Sequence, residues 1–179
     1  DITKRFCSAL DRDCPAHLYT WHRYPFDTHY PDYRPMPGMK DFIGKLQSRG
    51  VRVMPYINGR LFDTDYAEWT SEKAVRFACK DGSPKLGNRA ERLFPETYGS
   101  MQPMVVMCPG TTYWQDKIAR VTSRLVKDLG VDSVYIDQVA AAWSEVCSDP
   151  AHGHPLRGGA WWINGYEEML RKTWRRIEC

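Results

Sequence analysis

One carboxylate stands out in this chain because of the residues that precede it. Asp137 directly follows Val134, Tyr135 and Ile136, so a lone acid comes at the end of a short apolar run. Burying a carboxylate there is costly unless it has a partner or a purpose. Such an acid either caps a loop or pairs with an arginine as a structural group, or it works as a nucleophile or an acid/base. We favour the catalytic interpretation.

Polar side chains, one of them beside an aromatic ring, also follow the two earlier apolar runs. The residues that share this position are Trp21, His22 and Arg23 after the first run, Asn58, Gly59, Arg60 and Asp63 after the second, and Gln138 beside Asp137. Hydrogen-bonding groups next to a flat aromatic face suit a polyhydroxylated ring. We therefore predict that Trp21, His22, Asn58, Arg60, Asp63 and Gln138 bind a sugar. We also expect Asp137 to be largely buried, in a cavity shared with polar groups from the ends of the two earlier runs.

A later loop carries a second set of candidates. Cys147, Asp149, His152 and His154 have the atom types of metal ligands, but also those of loop hydrogen bonds or substrate contacts. Two histidines separated by one glycine ligate one ion only if the loop folds tightly, and no thiolate pair or HExxH pattern supports a metal. We predict no metal ion and no cofactor, and we assign His152 and His154 to substrate binding.

Two adjacent tryptophans close the same loop. Trp161 and Trp162 follow Gly158 and Gly159 almost directly. They fit a sugar platform and a packing lid against the final helix equally well. We include both among the candidate sugar contacts.

These residues need a parallel sheet to bring them together. The patterns predict strands over 16–21, 51–57 and 131–137, helices over 39–46, 113–129 and 166–177, a short helix within 66–78 and a short strand within 105–110. Strand, helix, strand at this spacing is typical of parallel strands joined by right-handed crossovers.

The fold class predicted from this order is α/β. Eight strand–helix units in about 250 residues complete a (β/α)8 TIM barrel. The three units here therefore predict a partial barrel, with a long insertion after the second strand. An open doubly wound sheet is the alternative, but its glycine-rich phosphate fingerprint is missing. Since the chain begins without Met and stops directly after a helical pattern, we expect residues 1–179 to be a fragment of a single barrel domain, truncated at both ends.

Composition argues against several other classes of protein. The chain has 25 Lys and Arg residues against 22 Asp and Glu residues. The basic residues are scattered except for a short group near the C-terminus, so we expect no nucleic-acid partner. No apolar run reaches the roughly 18 residues that a membrane span needs. The six cysteines are spread along the chain and include no CxxC pair. This spacing is not typical of a small disulfide scaffold. Cys7 and Cys14 either pair across a short loop or stay free, and the compartment stays open.

Several motifs carry a family resemblance. They are MPYINGRLFD, MCPGTTYWQDKIA, VDSVYIDQVAAA, CSDPAHGHPLRGG and WWINGY. Over residues 21–171 the chain resembles a mostly bacterial family described as a domain of unknown function and grouped with glycoside-hydrolase-like barrels. It is similar, more distantly, to retaining α-galactosidases and endo-α-N-acetylgalactosaminidases. In those enzymes an Asp at the end of the fourth strand is the nucleophile, and Asp137 is the matching position.

The resemblance implies a retaining glycoside hydrolase that acts on a carbohydrate. Such an enzyme needs an acid/base about 5 Å from the nucleophile. In the relatives this group comes from a later strand, so we expect it outside this chain, in the remainder of the barrel, and we expect the chain alone to be inactive. Glu145 and Asp149 are the nearby substitutes. The alternatives are a noncatalytic carbohydrate-binding barrel and a metal-dependent hydrolase that uses His152 and His154.

Overall fold

Three parallel strands form the sheet that positions the candidate site. The computed structural model describes residues 14–82 and 92–178, together with Arg5, Ser8 and Ala9. Within these described residues the strands are β1 (Cys14–Leu18), β2 (Val51–Asn58), β3 (Leu61–Asp63), β4 (Lys80–Asp81), β5 (Arg92–Leu93), β6 (Pro95–Glu96), β7 (Met104–Val106) and β8 (Tyr135–Asp137). The α-helices among the described residues are α1 (Met39–Gln47), α2 (Ala67–Ser71), α3 (Thr112–Arg124) and α4 (Trp161–Glu178).

The parallel sheet has the strand order β1-β2-β8. β2 is its central strand, and Val53 and Ile57 are fully buried in it. Helix α1 connects β1 to β2, and α3 precedes β8, so helices alternate with parallel strands as predicted. The α/β class and the parallel pairing are confirmed. The described sheet is open, and the partial barrel stays a prediction.

The long insertion forms a small antiparallel layer of its own. β3 and β6 pair with either side of β7, and β4 pairs with β5. Leu61, Phe62, Met104 and Val106 are fully buried between this layer and the helices. The insertion is therefore an ordered part of the core in the residues that the structure describes. The predicted short helix within 66–78 is α2 followed by a 3-10 turn over Ala74–Phe77.

The first strand ends earlier than predicted. β1 pairs with β2 from Cys14 to Leu18, and its last partner is Pro55, which has no backbone N–H to extend the ladder. Trp21 instead turns inward, where its indole N–H donates to the Tyr56 carbonyl at 2.8 Å. Cys7, one half of the disulfide considered above, lies outside the described residues.

The third strand is shorter than predicted, and α4 is longer. Only Tyr135–Asp137 pairs as strand, because the backbone N–H groups of Asp132 and Ser133 both turn to the carbonyl of Val53. α4 begins at Trp161, five residues before the predicted start. α3 continues as a π-helical turn over Leu125–Leu129 and stops at Gly130, which has a left-handed φ of 72°.

In the part of the chain that the structure describes, no helix is long and apolar enough to cross a membrane.

Candidate functional site

Asp137 is held at the carboxyl end of β8 by the neighbouring strand. It is the last residue of β8 and lies opposite Asn58, the last residue of β2. The Tyr56 hydroxyl donates to Asp137 Oδ2 at 3.0 Å, and the Tyr135 hydroxyl lies 3.5 Å from Oδ1. The predicted place of Asp137 at a strand end is confirmed.

The expectation that Asp137 is largely buried in a shared cavity is wrong. Its side chain is only partly buried, and Tyr135 beside it is 39% exposed. The physical reason is the sheet edge: among the described residues β2 is the sole strand that pairs with β8, so the opposite side of β8 stays open. Asp137 therefore lies on an accessible surface.

A glycine allows the two strand ends to meet. A Cβ atom on Gly59 would lie 2.6 Å from Ile136 Cγ2 and 2.7 Å from Val139 Cγ1, closer than real contacts allow. The Gly59 N–H donates to the carbonyl of Asp137 at 3.0 Å. The glycine thus fixes the end of β2 directly against the residue that carries the carboxylate.

Aromatic rings line the approach to Asp137. Tyr56 stacks on Tyr19 at a centroid distance of 5.0 Å and on Tyr135 at 6.0 Å, while Phe26 lies 5.2 Å away. Tyr19 is 48% exposed. We refer to Tyr19, Phe26, Tyr56 and Tyr135 as the aromatic wall. The aromatic wall was not predicted, although the sequence contains a signal for it: Tyr56 and Tyr135 occupy matching positions two residues before the polar strand ends.

A second carboxylate near Asp137 was also missed. Burial raises the pKa of Asp27, and the charge of Asp137 raises it further, although a hydrogen bond from the Tyr30 hydroxyl at 2.9 Å opposes the shift. Asp27 sits in the proline-rich loop, with a left-handed φ of 59°. No strand pattern marks such a residue, so only the folded loop reveals it.

Asn58 and Gln138, two of the predicted sugar contacts, bind each other across the two strand ends. The Asn58 side-chain amide donates to Gln138 Oε1 at 2.9 Å, and its own Oδ1 accepts the backbone N–H groups of Arg60 and Leu61. Gln138 in turn donates to the Tyr98 hydroxyl at 2.6 Å. Asn58 is buried and its polar atoms are satisfied by protein, so its evident work is to hold the strand ends together.

Arg60 is buried at the centre of an ion-pair network. It lies 2.9 Å from Glu96 and 3.0 Å from Glu145, donates to the carbonyl of Trp143 at 2.6 Å and packs over the Trp162 ring. The guanidinium is 1% exposed. In the described structure Arg60 therefore ties the insertion to the loop after β8 and presents no open face to a sugar, contrary to the prediction.

Three more predicted sugar contacts are also buried. Trp21 stacks on Tyr33, and His22 contacts both rings edge-on. Burial lowers the pKa of His22 to about 4, although Asp32 opposes the shift. Asp63 accepts the backbone N–H of His29 at 2.6 Å and is 1% exposed. Proximity to a strand end did not suffice, because β1 ends at Leu18 and β3 carries Asp63 into the insertion.

The remaining candidates meet in a separate cluster. His154 stacks on Trp161 at 3.7 Å, and its Nε2 lies 3.2 Å from Cys108 Sγ. His152 Nδ1 lies 3.3 Å from Cys147 Sγ. Trp161 and Trp162, the first two residues of α4, are 7% and 6% exposed. They are therefore buried at the start of the helix and do not form an open platform. None of these residues contacts Asp137 in the bonds and ring contacts described here.

Comparison with known proteins gives this geometry a family context. The model of the family described as "Domain of unknown function (DUF6259)" matches residues 2–178. Two curated relatives are named putative glycoside hydrolase: one from Monosiga brevicollis is 32% identical over 99% of this chain, and one from Bacteroides thetaiotaomicron is 36% identical over 86%. The chain spans only 16% and 22% of their respective lengths.

Solved structures of glycoside hydrolases share the fold. The α-N-acetylgalactosaminidase NagBb from Bifidobacterium bifidum, in complex with GalNAc, matches with a TM-score of 0.74 at 16% identity, over 98% of this chain and 27% of that one. The α-galactosidase TtGalA from Thermus thermophilus, in complex with a nitrophenyl galactoside, matches with a TM-score of 0.61 at 15% identity, over 97% and 33%. These neighbours have barrel-type folds.

Proposed function

The chain belongs to the DUF6259 family. From this premise we propose that it contains the catalytic nucleophile of a retaining glycoside hydrolase. The observation that carries the proposal is the placement of Asp137: a strand-end carboxylate, bound by the Tyr56 phenol, beside the aromatic wall, in which Tyr19 and Tyr135 are exposed. Enzymes of this type use a carboxylate that attacks the anomeric carbon and forms a glycosyl ester.

The surrounding residues suit that role. The Tyr56 hydroxyl fixes Oδ2 of Asp137, and Oδ1 has only the longer contact of 3.5 Å with the hydroxyl of the exposed Tyr135. Tyr19 and Tyr135 offer exposed ring faces on which a sugar can stack. Asp27, whose pKa is raised beside Asp137, is a hydrogen-bonding group for a sugar hydroxyl. The names of the structural neighbours favour an α-linked galactose-type sugar as the substrate.

The acid/base is proposed to lie outside this chain. Glu145 is held by Arg60 at 3.0 Å, and Asp149 is held by Lys80 at 2.6 Å. Although burial opposes it, the hydrogen bonds from Lys80 and the Ala151 N–H lower the pKa of Asp149, the opposite of what a general acid needs. Burial raises the pKa of Glu145, although Arg60 opposes the shift, so Glu145 is set aside only because Arg60 binds its carboxylate.

The same reasoning supports a partial (β/α)8 barrel completed by further chain. β8 has an open edge among the described residues, and large apolar side chains in the loop and helix that follow it are exposed: Trp143 at 87%, Ile163 at 70% and Trp174 at 64%. The relatives are several times longer than this chain. We propose that the remainder of the barrel covers this face and brings the acid/base to Asp137.

The test is an Asp137→Asn variant of the full-length protein, assayed on nitrophenyl α-galactoside and its N-acetylgalactosamine analogue. The swap keeps size but removes the attacking charge, so we expect kcat to fall on the order of 10³-fold or more, about 4 kcal/mol of barrier. Asp132→Asn is the matched control, since Asp132 precedes β8, accepts the Val53 N–H near the start of β2 and should not alter kcat.

A carbohydrate-binding module would behave differently. It would show no turnover in the wild type, and its sugar affinity would change only a few-fold in Asp137→Asn. Wild-type turnover by a folded Asp137→Asn protein would contradict the proposal and make the carboxylate structural.

A further inference from the structure

Two cysteines and two histidines converge beneath the loop after β8. One ligand atom from each of Cys108, Cys147, His152 and His154 lies within 4.8 Å of all the others. We call these residues the Cys/His cluster. Cys108 follows β7 in the insertion, whereas the other three come from the loop between β8 and α4. Segments far apart in sequence are thus joined by two sulfur and two nitrogen atoms.

The backbone contacts of both imidazoles favour a neutral tautomer whose unprotonated nitrogen faces a cysteine sulfur. His152 Nε2 lies 2.8 Å from the carbonyl of Arg76, and His154 Nδ1 lies 2.8 Å from the carbonyl of Pro155. A carbonyl only accepts, so a neutral ring donates through those nitrogens. The lone pairs of His152 Nδ1 and His154 Nε2 then face the two sulfurs. Histidines that ligate metals are commonly held in this way by a backbone carbonyl.

The fold makes room for this arrangement. A Cβ atom on Gly110 would lie 2.7 Å from His154 Cδ2, so glycine is needed where the ring sits. Trp161 stacks on the other face of His154 with its ring nearly parallel. Two backbone hydrogen bonds fix Cys147 to Arg157, because the N–H of each residue donates to the carbonyl of the other. Cys108, Cys147 and His152 are buried.

We propose that the Cys/His cluster is a structural zinc site. A tetrahedral set of two thiolates and two imidazoles is the donor chemistry that favours Zn²⁺. Bonds of about 2.3 Å to sulfur and about 2.0 Å to nitrogen place neighbouring ligand atoms roughly 3.3–3.8 Å apart. The two sulfur–nitrogen contacts, 3.2 and 3.3 Å, are close to that spacing.

The site is closed, which separates it from hydrolytic chemistry. Four protein ligands complete a tetrahedron, whereas a catalytic zinc keeps one position for water. The proposal therefore does not revive the metal-dependent hydrolase considered from the sequence. It does replace the expectation of no metal ion, which rested on the absence of a local thiolate pair. The thiolates are 39 residues apart along the chain, so no short motif could reveal them.

The consequence of the site is mechanical. The ion would fasten the loop after β8 to the insertion, at the same place where Ser148 N–H donates to the carbonyl of Lys80. That loop directly follows Asp137 and also carries Glu145, the partner of Arg60. A zinc ion there would stabilise the loop while leaving the chemistry at the strand ends unchanged.

The first experiment measures metal in the wild-type protein, purified under reducing conditions without a metal-affinity step. We expect about one zinc per chain to survive dialysis. After zinc is removed, added Co²⁺ should give the intense visible bands of a tetrahedral thiolate complex, and zinc should displace it. A reduced protein that neither retains zinc nor binds Co²⁺, or one with a Cys108–Cys147 disulfide and no metal, would overturn the proposal.

Variants then identify the ligands. His154→Ala and Cys108→Ser should each weaken zinc affinity more than about 100-fold, because losing an outer-shell partner alone costs roughly 10–100-fold. His154 is only partly buried, so its variant should fold even if Cys108→Ser does not. Cys79→Ala is the control for indirect effects: Cys79 is a buried thiol in contact with Cys108 and Cys147 but outside the four-atom set, so its loss should weaken zinc affinity by less than about 100-fold. Loss of zinc in the control alone would refute the assigned ligands.

Discussion

The strand-end site around Asp137 and the Cys/His cluster are assembled in opposite ways. Asp137, Tyr56 and Asn58 are placed by the register of β2 and β8, and their surface is open, with exposed rings beside it. The Cys/His cluster is assembled from loops, and three of its four residues are buried. An open site on rigid strands suits a reaction that admits and releases a substrate, whereas a closed site between loops suits a permanent ligand.

Arg60 joins the two regions, so its removal should have the largest effect on stability. Arg60→Met would leave Glu96 and Glu145 side by side without their buried cation, which costs about 3–5 kcal/mol of unfolding free energy. Arg171→Met is the control, because the Arg171–Glu167 pair is 59% and 55% exposed and contributes under about 1 kcal/mol. Urea unfolding of both variants measures the difference. Equal midpoints would show that the two regions are not tied through Arg60.

The stability of the protein at acid pH should depend on the protonation of His22. This residue was predicted to contact a sugar but is buried in the core. Burial lowers its pKa from 6.5 to about 4, despite Asp32 and with a small further effect of His29. The unfolded chain binds the proton more readily, so the stabilising contribution is complete above pH 6.5 and is lost progressively as the pH falls toward 4.

The matching variant is His22→Phe. The loss between pH 6.5 and 4 attributable to His22 is roughly 2–3 kcal/mol, and the variant should lack that component. Unfolding measured at several pH values gives the slopes. Parallel slopes in the two proteins would mean that His22 is reached by solvent, as a sugar-binding residue would be.

A one-carbon change tests the close contact of the strand ends. Gly59→Ala forces a methyl group against Ile136 and Val139, and overpacking of this kind costs about 1–3 kcal/mol. It should also lower turnover by displacing Asp137, while zinc content stays unchanged. Gly44→Ala in α1 is the control: its Cβ meets nothing within 4 Å, so stability should stay the same or rise by up to about 1 kcal/mol. Similar losses in both variants would argue against a special contact at Gly59.

The contrast between the regions also explains what the sequence could predict. The apolar run before Asp137 and the βα order gave the parallel sheet and the place of the carboxylate, because both depend on residues close together in the chain. The same register sets Asn58 beside Gln138, but their contact with a sugar stays a prediction. Trp21, His22, Arg60 and Asp63 were predicted to bind a sugar but are buried in the described structure, since burial depends on how the insertion packs. Asp27 and the convergence of Cys108 with Cys147 depend on loops that no periodic pattern describes.

The smallest predicted effect concerns the phenol that holds the nucleophile. Tyr56→Phe removes the hydrogen bond to Asp137 and keeps the stacked ring, so kcat/KM should fall roughly 10-fold, as expected for about 1.4 kcal/mol of lost interaction. Tyr113→Phe is the control, because its hydroxyl donates to Glu72, away from the strand ends. Steady-state kinetics distinguish the two. An unchanged Tyr56→Phe enzyme would mean that the phenol does not position the carboxylate.

Covalent labelling tests the central claim most directly. The full-length protein is treated with a mechanism-based inactivator of retaining α-galactosidases, such as a fluorinated α-galactosyl compound, then digested and analysed by mass spectrometry. A retaining nucleophile traps the sugar as a stable ester. We expect one sugar per chain on the peptide that contains Asp137, and none in Asp137→Asn. Inactivation with the label on a different carboxylate would contradict the account.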